Sequence, residues 1–214
     1  MTPAPRVWSA VTNVVGCAVF LALAVKVIVE SPTFGGLVVP VIVQDVFVAL
    51  VFVLRTPPTS TLPGWLPRVA AFGGSFVILL FAETARLSHP EWITPTADAT
   101  QRTIGRCVWI IGMAIAFWSL WYLRRAFSIV PQARELVIHG PYRFARHPMY
   151  VGYALVNLGV WIQYPTLAAG LALAAWLALT AARIRFEEIV VSRAFPEYET
   201  YRRRVGPLWP RPRR

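Results

Sequence analysis

The thirteen residues GPYRFARHPMYVG, from Gly140 to Gly152, place two arginines, a histidine and two tyrosines around one turn and one helix start. Pro148 suits a first helical position, because its ring fixes φ and it needs no amide donor, while His147 before it is held extended. The amides of Met149, Tyr150, Val151 and Gly152 are then expected to lack intrahelical partners, and a helix start of that kind attracts an anion such as a carboxylate. Gly152 removes a side chain where a ligand or another helix comes close. Tyr142 and Tyr150 are either interface-belt aromatics or ring faces for a purine or a sulfonium cation, with hydroxyls for a ribose.

A second charged stretch, RIRFEE from Arg183 to Glu188, follows about thirty residues later. Arg183 and Glu187 are four apart and share a helix face, whereas Arg185 points elsewhere. They read either as a solvated ion pair at a helix end or as a site in which a carboxylate holds an ammonium and an arginine holds an anionic acceptor. Helix phase after a proline-broken segment leaves open whether Arg183 or Arg185 faces such a site. There is no Ser/His/Asp order, metal-binding cluster, Walker loop or Rossmann glycine pattern, so hydrolysis and soluble-type nucleotide chemistry have little support.

Taken with Phe195-Pro-Glu-Tyr198 and the YRRRV run from Tyr201 to Val205, these motifs resemble the isoprenylcysteine carboxyl methyltransferase family of integral membrane enzymes. The likeness covers roughly Leu136 to Pro210. It departs from the family at Phe195–Tyr198, which replaces the commoner Phe-Gly-x-x-Tyr and is one residue shorter. The resemblance implies methyl transfer from S-adenosyl-L-methionine, with Leu136, Val137, Tyr142, His147, Pro148, Met149, Tyr150 and Glu187 as cofactor contacts. It implies that Arg183 orients the substrate carboxylate, so that Arg183 and Glu187 form the catalytic pair, with no metal. Such a transfer is an in-line displacement that needs donor and acceptor held collinear and water excluded. A carboxylate acceptor requires no base; a thiol or amine does, and His139 or Glu188 is the nearest candidate by position.

The elements that must position these residues are apolar helices. Of 214 residues 57% are hydrophobic and 14% charged, and the mean hydropathy is +0.55, which reads as a membrane protein. The runs Val7–Val29, Leu37–Leu54, Val69–Phe81, Ile104–Leu123 and Val151–Ala182 approach the roughly 20 residues a span needs. Tyr164-Pro165 divides the last into a helical hairpin that returns Arg183–Glu188 to the side holding Tyr142–Tyr150. The expected fold is therefore an all-α polytopic bundle of about five spans, the last a hairpin. Its cofactor pocket is expected between the 130–150 loop and the C-terminal helix. Residues 1–214 read as one membrane domain, with 1–123 as N-terminal spans and 124–214 as the cofactor-binding and catalytic part.

Arginines at 6, 55, 68, 124, 125, 134, 143 and 146 and in the tail fall on one side of such a bundle, which puts the N-terminus and tail in the cytoplasm. The connector Leu87–Thr103, with Pro90, Glu91 and Pro95, reads as an extracytoplasmic loop. The +11 charge is thus topological, and no nucleic-acid partner is expected. Lys26, Asp45 and Glu83 lie within apolar helices, where pairing across helices is expected to satisfy them. Cys17 and Cys107 read as buried small hydrophobes. With one lysine among 21 basic residues, the chain fits a high-GC bacterial genome, hence a bacterial cytoplasmic membrane and a lipophilic or small-molecule acceptor rather than a prenylated protein. Phospholipid N-methylation, small-thiol S-methylation, a sterol-type reductase using NADPH and a non-catalytic membrane protein are the alternatives.

Overall fold

The computed structural model describes residues 6–29, 38–89 and 97–211. Pro90, Glu91 and Pro95 of the expected outer loop, Leu37 and the last three residues lie outside them, as do the side chains of Arg6 and Arg86. The described residues form seven α-helices: α1 (Arg6–Val29), α2 (Val38–Leu54), α3 (Trp65–Ser88), α4 (Ala99–Leu123), α5 (Pro148–Gln163), α6 (Leu167–Ala194) and α7 (Tyr198–Arg204). Two-residue strands β1 (Ser60–Thr61) and β2 (Gln132–Ala133) pair antiparallel, and a 3₁₀ turn covers Gly140–Arg143. Among the described residues, α1, α3, α4 and α6 are long and apolar enough to cross a membrane, and α2 is a shorter apolar helix. The outward faces carry Val14, Leu80, Ile110 and Leu171, all exposed, as an apolar solvent requires. The fold is an all-α polytopic membrane bundle.

The proline at 165 breaks the last apolar run as expected: α5 ends at Gln163, and Thr166 caps α6 by accepting the Ala169 amide at 3.2 Å. Asp98 caps α4 in the same way, accepting the Gln101 amide at 2.7 Å. Helix ends meet in the alternating order that successive crossings demand. Arg55, just past α2, donates to Asn13 at 2.6 Å and Thr12 at 3.0 Å near the start of α1, while Lys26 near the end of α1 pairs with Glu83 near the end of α3 at 2.5 Å. Two of the three intramembrane charges are therefore a cross-helix pair; Asp45 is buried on α2 outside it. Cys17 is half-buried, but Cys107 is exposed on α4, contrary to the expectation of two buried thiols; its position on an outward helix face gives an apolar side chain no reason to turn inward.

α4 and α5 pack backbone to backbone along facing glycines. A Cβ on Gly152 would lie 2.6 Å from the Ala116 amide nitrogen, and one on Gly112 2.6 Å from that of Val156. Farther along, a Cβ on Gly159 would lie 2.6 Å from the Gly105 carbonyl. Small residues at such a seam let helices approach and gain dispersion where lipid offers no hydrophobic drive. Gly152 is thus explained by the neighbouring helix rather than by a ligand. Gly152→Ala is expected to destabilise the protein by about 1–3 kcal/mol, the usual cost of overpacking, which thermal unfolding in detergent would read.

Below this seam, Val48, Val51 and Phe52 of α2, Leu120 of α4, Phe127, and Met149 and Tyr150 of α5 form one buried cluster. It is the floor on which the charged residues of α5 and α6 rest.

Candidate active site

The chain from Ala145 into α5 is held by the tail. Ala145 bridges Gly206 in parallel register, the Arg146 amide donates to the Gly206 carbonyl at 2.9 Å, and the His147 amide donates to that of Pro207 at 2.9 Å. Pro148 is the first helical residue, as its ring dictates. The anion site expected at this helix start is smaller than four open amides. Tyr150 and Val151 both donate to the His147 carbonyl, at 3.1 and 3.3 Å, because His147 already acts as the N-cap acceptor.

Three side chains from α5 and its approach meet three from α6. Glu187 Oε1 accepts from the Tyr150 hydroxyl at 2.5 Å and from Arg183 Nε at 2.9 Å, while its Oε2 lies 3.8 Å from His147 Nδ1. Glu188 Oε1 accepts from Arg146 Nε and Nη2 at 2.8 and 2.6 Å and from His147 Nε2 at 3.2 Å. Since an ionised carboxylate only accepts, His147 Nε2 carries the proton in that contact. Arg146 also donates through Nη1 to the carbonyls of Arg202 and Val205, at 3.1 and 2.6 Å. The Tyr201 hydroxyl reaches the Tyr142 carbonyl at 2.6 Å, so α7 closes over the same end of the bundle.

These groups border a cavity open to solvent. Of the residues expected at a cofactor site, Leu136, Val137, Tyr142, His147, Met149, Tyr150 and Glu187 line it. Pro148 does not; it is buried as the first residue of α5. Arg183 does not line it either. Its side chain is 5% exposed behind Glu187, donating to Ser75 Oγ of α3 at 2.8 Å and the Ser128 carbonyl at 3.1 Å, with its guanidinium 5.3 Å from the Tyr150 ring centre. Arg185 is exposed, which settles the helix phase in favour of Arg183 pointing inward. His139 faces a separate surface groove with Trp118, Tyr122 and Phe144, so it is no base for this cavity; the turn at Gly140, φ +57°, carries the chain away from it.

The sequence reading missed Arg146, counted only as a topological charge, and did not single out Tyr198 and Tyr201, whereas the wall from Val130 to Glu135 falls in the 130–150 loop where the pocket was expected. The tyrosines did stand in the tail motif, but nothing in the motif says that the tail folds back onto Tyr142. Burial raises Tyr142 well above the ordinary phenol range, with the charge of Glu187 adding to it. Burial likewise raises Tyr198 and Tyr201, with Glu188 adding to the rise and Arg146 opposing it. All three remain neutral hydroxyls at physiological pH, able to donate but not to act as bases.

Residues 100–198 match the family model described as phospholipid methyltransferase, which supports a membrane methyltransferase. The chain is 36% identical over 129 residues to the nickel-cobalt-cadmium resistance protein NccN of Alcaligenes xylosoxydans xylosoxydans, a match covering 58% of this chain and 56% of that protein. It is 42% identical over 141 residues to the cobalt-zinc-cadmium resistance protein CzcN of Cupriavidus metallidurans, covering 63% and 61% respectively. The chain thus spans less than two thirds of the curated relatives it matches.

Proposed function

We propose that this protein is an S-adenosyl-L-methionine-dependent methyltransferase whose acceptor reaches the site from the lipid phase. The observation that carries the reading is the set of Glu187, Glu188, His147 and the buried tyrosines Tyr142, Tyr150 and Tyr198 converging on one cavity at one end of a membrane bundle. Glu187 is suited to an ammonium group, because Oε2 keeps acceptor capacity after Oε1 has taken Tyr150 and Arg183. Tyr142 and Tyr150 offer rings and hydroxyls for the nucleoside part. S-adenosyl-L-methionine, when bound, supplies an electrophilic methyl whose bond to sulfur breaks as its bond to the acceptor atom forms. Arg183 then acts through Glu187, as a positioning residue, until an acceptor draws close enough to share its guanidinium.

The acceptor this site favours is a carboxylate, such as an isoprenylcysteine-like or lipid acid. Glu188 Oε1 is bonded to Arg146 and His147 and His139 lies elsewhere, so neither of the two bases expected for an amine or thiol stands free in this cavity. The family match favours a second reading, N-methylation of a phospholipid headgroup. The arginine-rich ends favour a cytoplasmic cofactor entrance in a bacterial cytoplasmic membrane. The relatives' names carry metal resistance to this chain as the consequence of modifying a membrane component. Among the described residues no group of three or more His, Cys, Asp or Glu gathers as a cation site.

Calorimetric titration of S-adenosylhomocysteine into the detergent-purified protein tests the reading. Saturable binding is expected, weakened about tenfold or more by Glu187→Gln and by His147→Ala, in line with about 1.5–3 kcal/mol for a hydrogen bond to a charged group. No binding by folded wild type sinks the proposal, and saturable NADPH binding in its place moves a reductase to the front. Methyl label transferred into lipid extracts then separates the acceptors: an ester is released by mild base, and an N-methyl group is not.

A further inference from the structure

Arg134 sits at the foot of the β1–β2 ladder, immediately after Ala133, in the wall of the cavity. It is only 5% exposed, and its Nε and Nη1 hydrogens have no partner among the described residues. Among the described residues its Nη2 donates to Gln132 Oε1 at 2.9 Å, an oxygen already taken by Ser128 Oγ at 3.0 Å. The ladder brings this arginine toward a second one. Thr59 bonds Ala133 through both its amide and its hydroxyl, at 2.8 and 3.0 Å, and Arg55 stands four residues earlier at the end of α2, 7% exposed and over the Phe52 ring at 4.3 Å. Arg134 titrates at about 10, lowered by burial first and by the positive charge of Arg55 second.

Two buried cations close enough for one to depress the other, one of them with unmade hydrogen bonds, call for an anion, since an unpaired buried charge costs several kcal/mol. The place indicates which anion. Arg55 is anchored to Thr12 and Asn13, where the apolar part of α1 begins at Val11, with Val14 and Val15 exposed beside them. That is the depth of lipid headgroups, and the planar fork of arginine matches a phosphate oxyanion.

We propose that Arg134, with Arg55 beside it, forms an oxyanion subsite that takes the phosphate of a phospholipid headgroup. The subsite stands on the orphaned arginine and its cationic neighbour, and does not require that the bound lipid be the one methylated.

The test is thermal unfolding of the full chain in a maltoside detergent with dioctanoylphosphatidylglycerol, dioctanoylglycerol or inorganic phosphate added. The phosphatidylglycerol is expected to raise the midpoint of wild type in a saturable way, as any ligand bound by the native state does. The diacylglycerol, which lacks the phosphate, is expected to leave it unchanged. Arg134→Gln is expected to abolish the response while leaving the lipid-free midpoint equal to or above that of wild type, because it removes a buried cation without a partner. Arg134→Lys keeps the charge without the fork and is expected to retain a weaker response. An equal response in wild type and Arg134→Gln, or an equal response to the phosphate-free lipid, overturns the subsite. A lipid-free midpoint of Arg134→Gln well below wild type overturns the orphaned state on which it rests. If inorganic phosphate gives the whole effect and lipid adds nothing, the lipid source is wrong.

Discussion

Arg183→Met lowers stability by about 3–5 kcal/mol, the range found when one partner of a buried pair is removed, and Glu187→Gln in the same chain restores part of the loss. Arg183 bonds Glu187 one turn on in α6 and joins α6 to two other parts of the fold, Ser75 on α3 and the Ser128 carbonyl in the loop that walls the cavity. Removing it leaves the Ser128 carbonyl short of a donor and strips Glu187 of its only arginine. The Glu187 side chain is 21% exposed and still bonded to Tyr150, so part of its charge is relieved by water and part is not. A double-mutant cycle of Arg183→Met and Glu187→Gln, followed by thermal unfolding, should therefore show coupling of about 1–3 kcal/mol, within the range of residues sharing one network. Losses that simply add would mean that Glu187 does not depend on Arg183, and the assignment of Arg183 as the residue that holds it would fall. Ser75→Ala is the milder control, because it removes one hydroxyl acceptor and leaves the carboxylate intact.

The contrast between Arg183 and Arg146 shows what the amino-acid sequence revealed and what it hid. Apolar runs and Pro165 announced the helices and the hairpin, because a membrane leaves the backbone few ways to satisfy itself. Spacing four apart announced the Arg183–Glu187 pair, since one helix face brings those residues together whatever surrounds them. Neither rule reaches contacts between elements distant in the chain. That Arg183 is buried behind Glu187 depends on Ser75, 108 residues earlier. That His139 is turned away from the cavity depends on one left-handed glycine. That Gly152 meets Ala116 depends on how α4 and α5 register, and the motif alone allowed a ligand equally well.

Arg146 was hidden for a related reason. In a basic chain a single arginine beside a histidine looks like one more topological charge, and its meaning comes from a tail that follows some fifty residues later. The same blindness applied to Arg134, whose isolation is visible only when its surroundings are known.

Arg146→Met should lower the affinity for S-adenosylhomocysteine by roughly a hundredfold, the equivalent of about 2.7 kcal/mol, and should do so by releasing the tail. Its guanidinium is 6% exposed and makes four hydrogen bonds, two to Glu188 and one each to the carbonyls of Arg202 and Val205. Hydrogen bonds to charged groups contribute about 1.5–3 kcal/mol each, and losing them frees α7, with Tyr198 and Tyr201, from the cavity wall. Glu188 then keeps His147 and loses both Arg146 contacts. Hydrogen exchange should rise across residues 198–210 while α4 and α5 keep their protection, because their glycine seam does not involve the tail. Arg146→Lys should fall between, since a lysine keeps the charge but cannot span a carboxylate and two carbonyls at once. Added salt should change little, as the pair is shielded from solvent, in contrast with the exposed Arg203–Glu199 pair on α7. Loss of binding with unchanged exchange in the tail would mean that Arg146 touches the ligand itself. No change in either would take the tail out of the site.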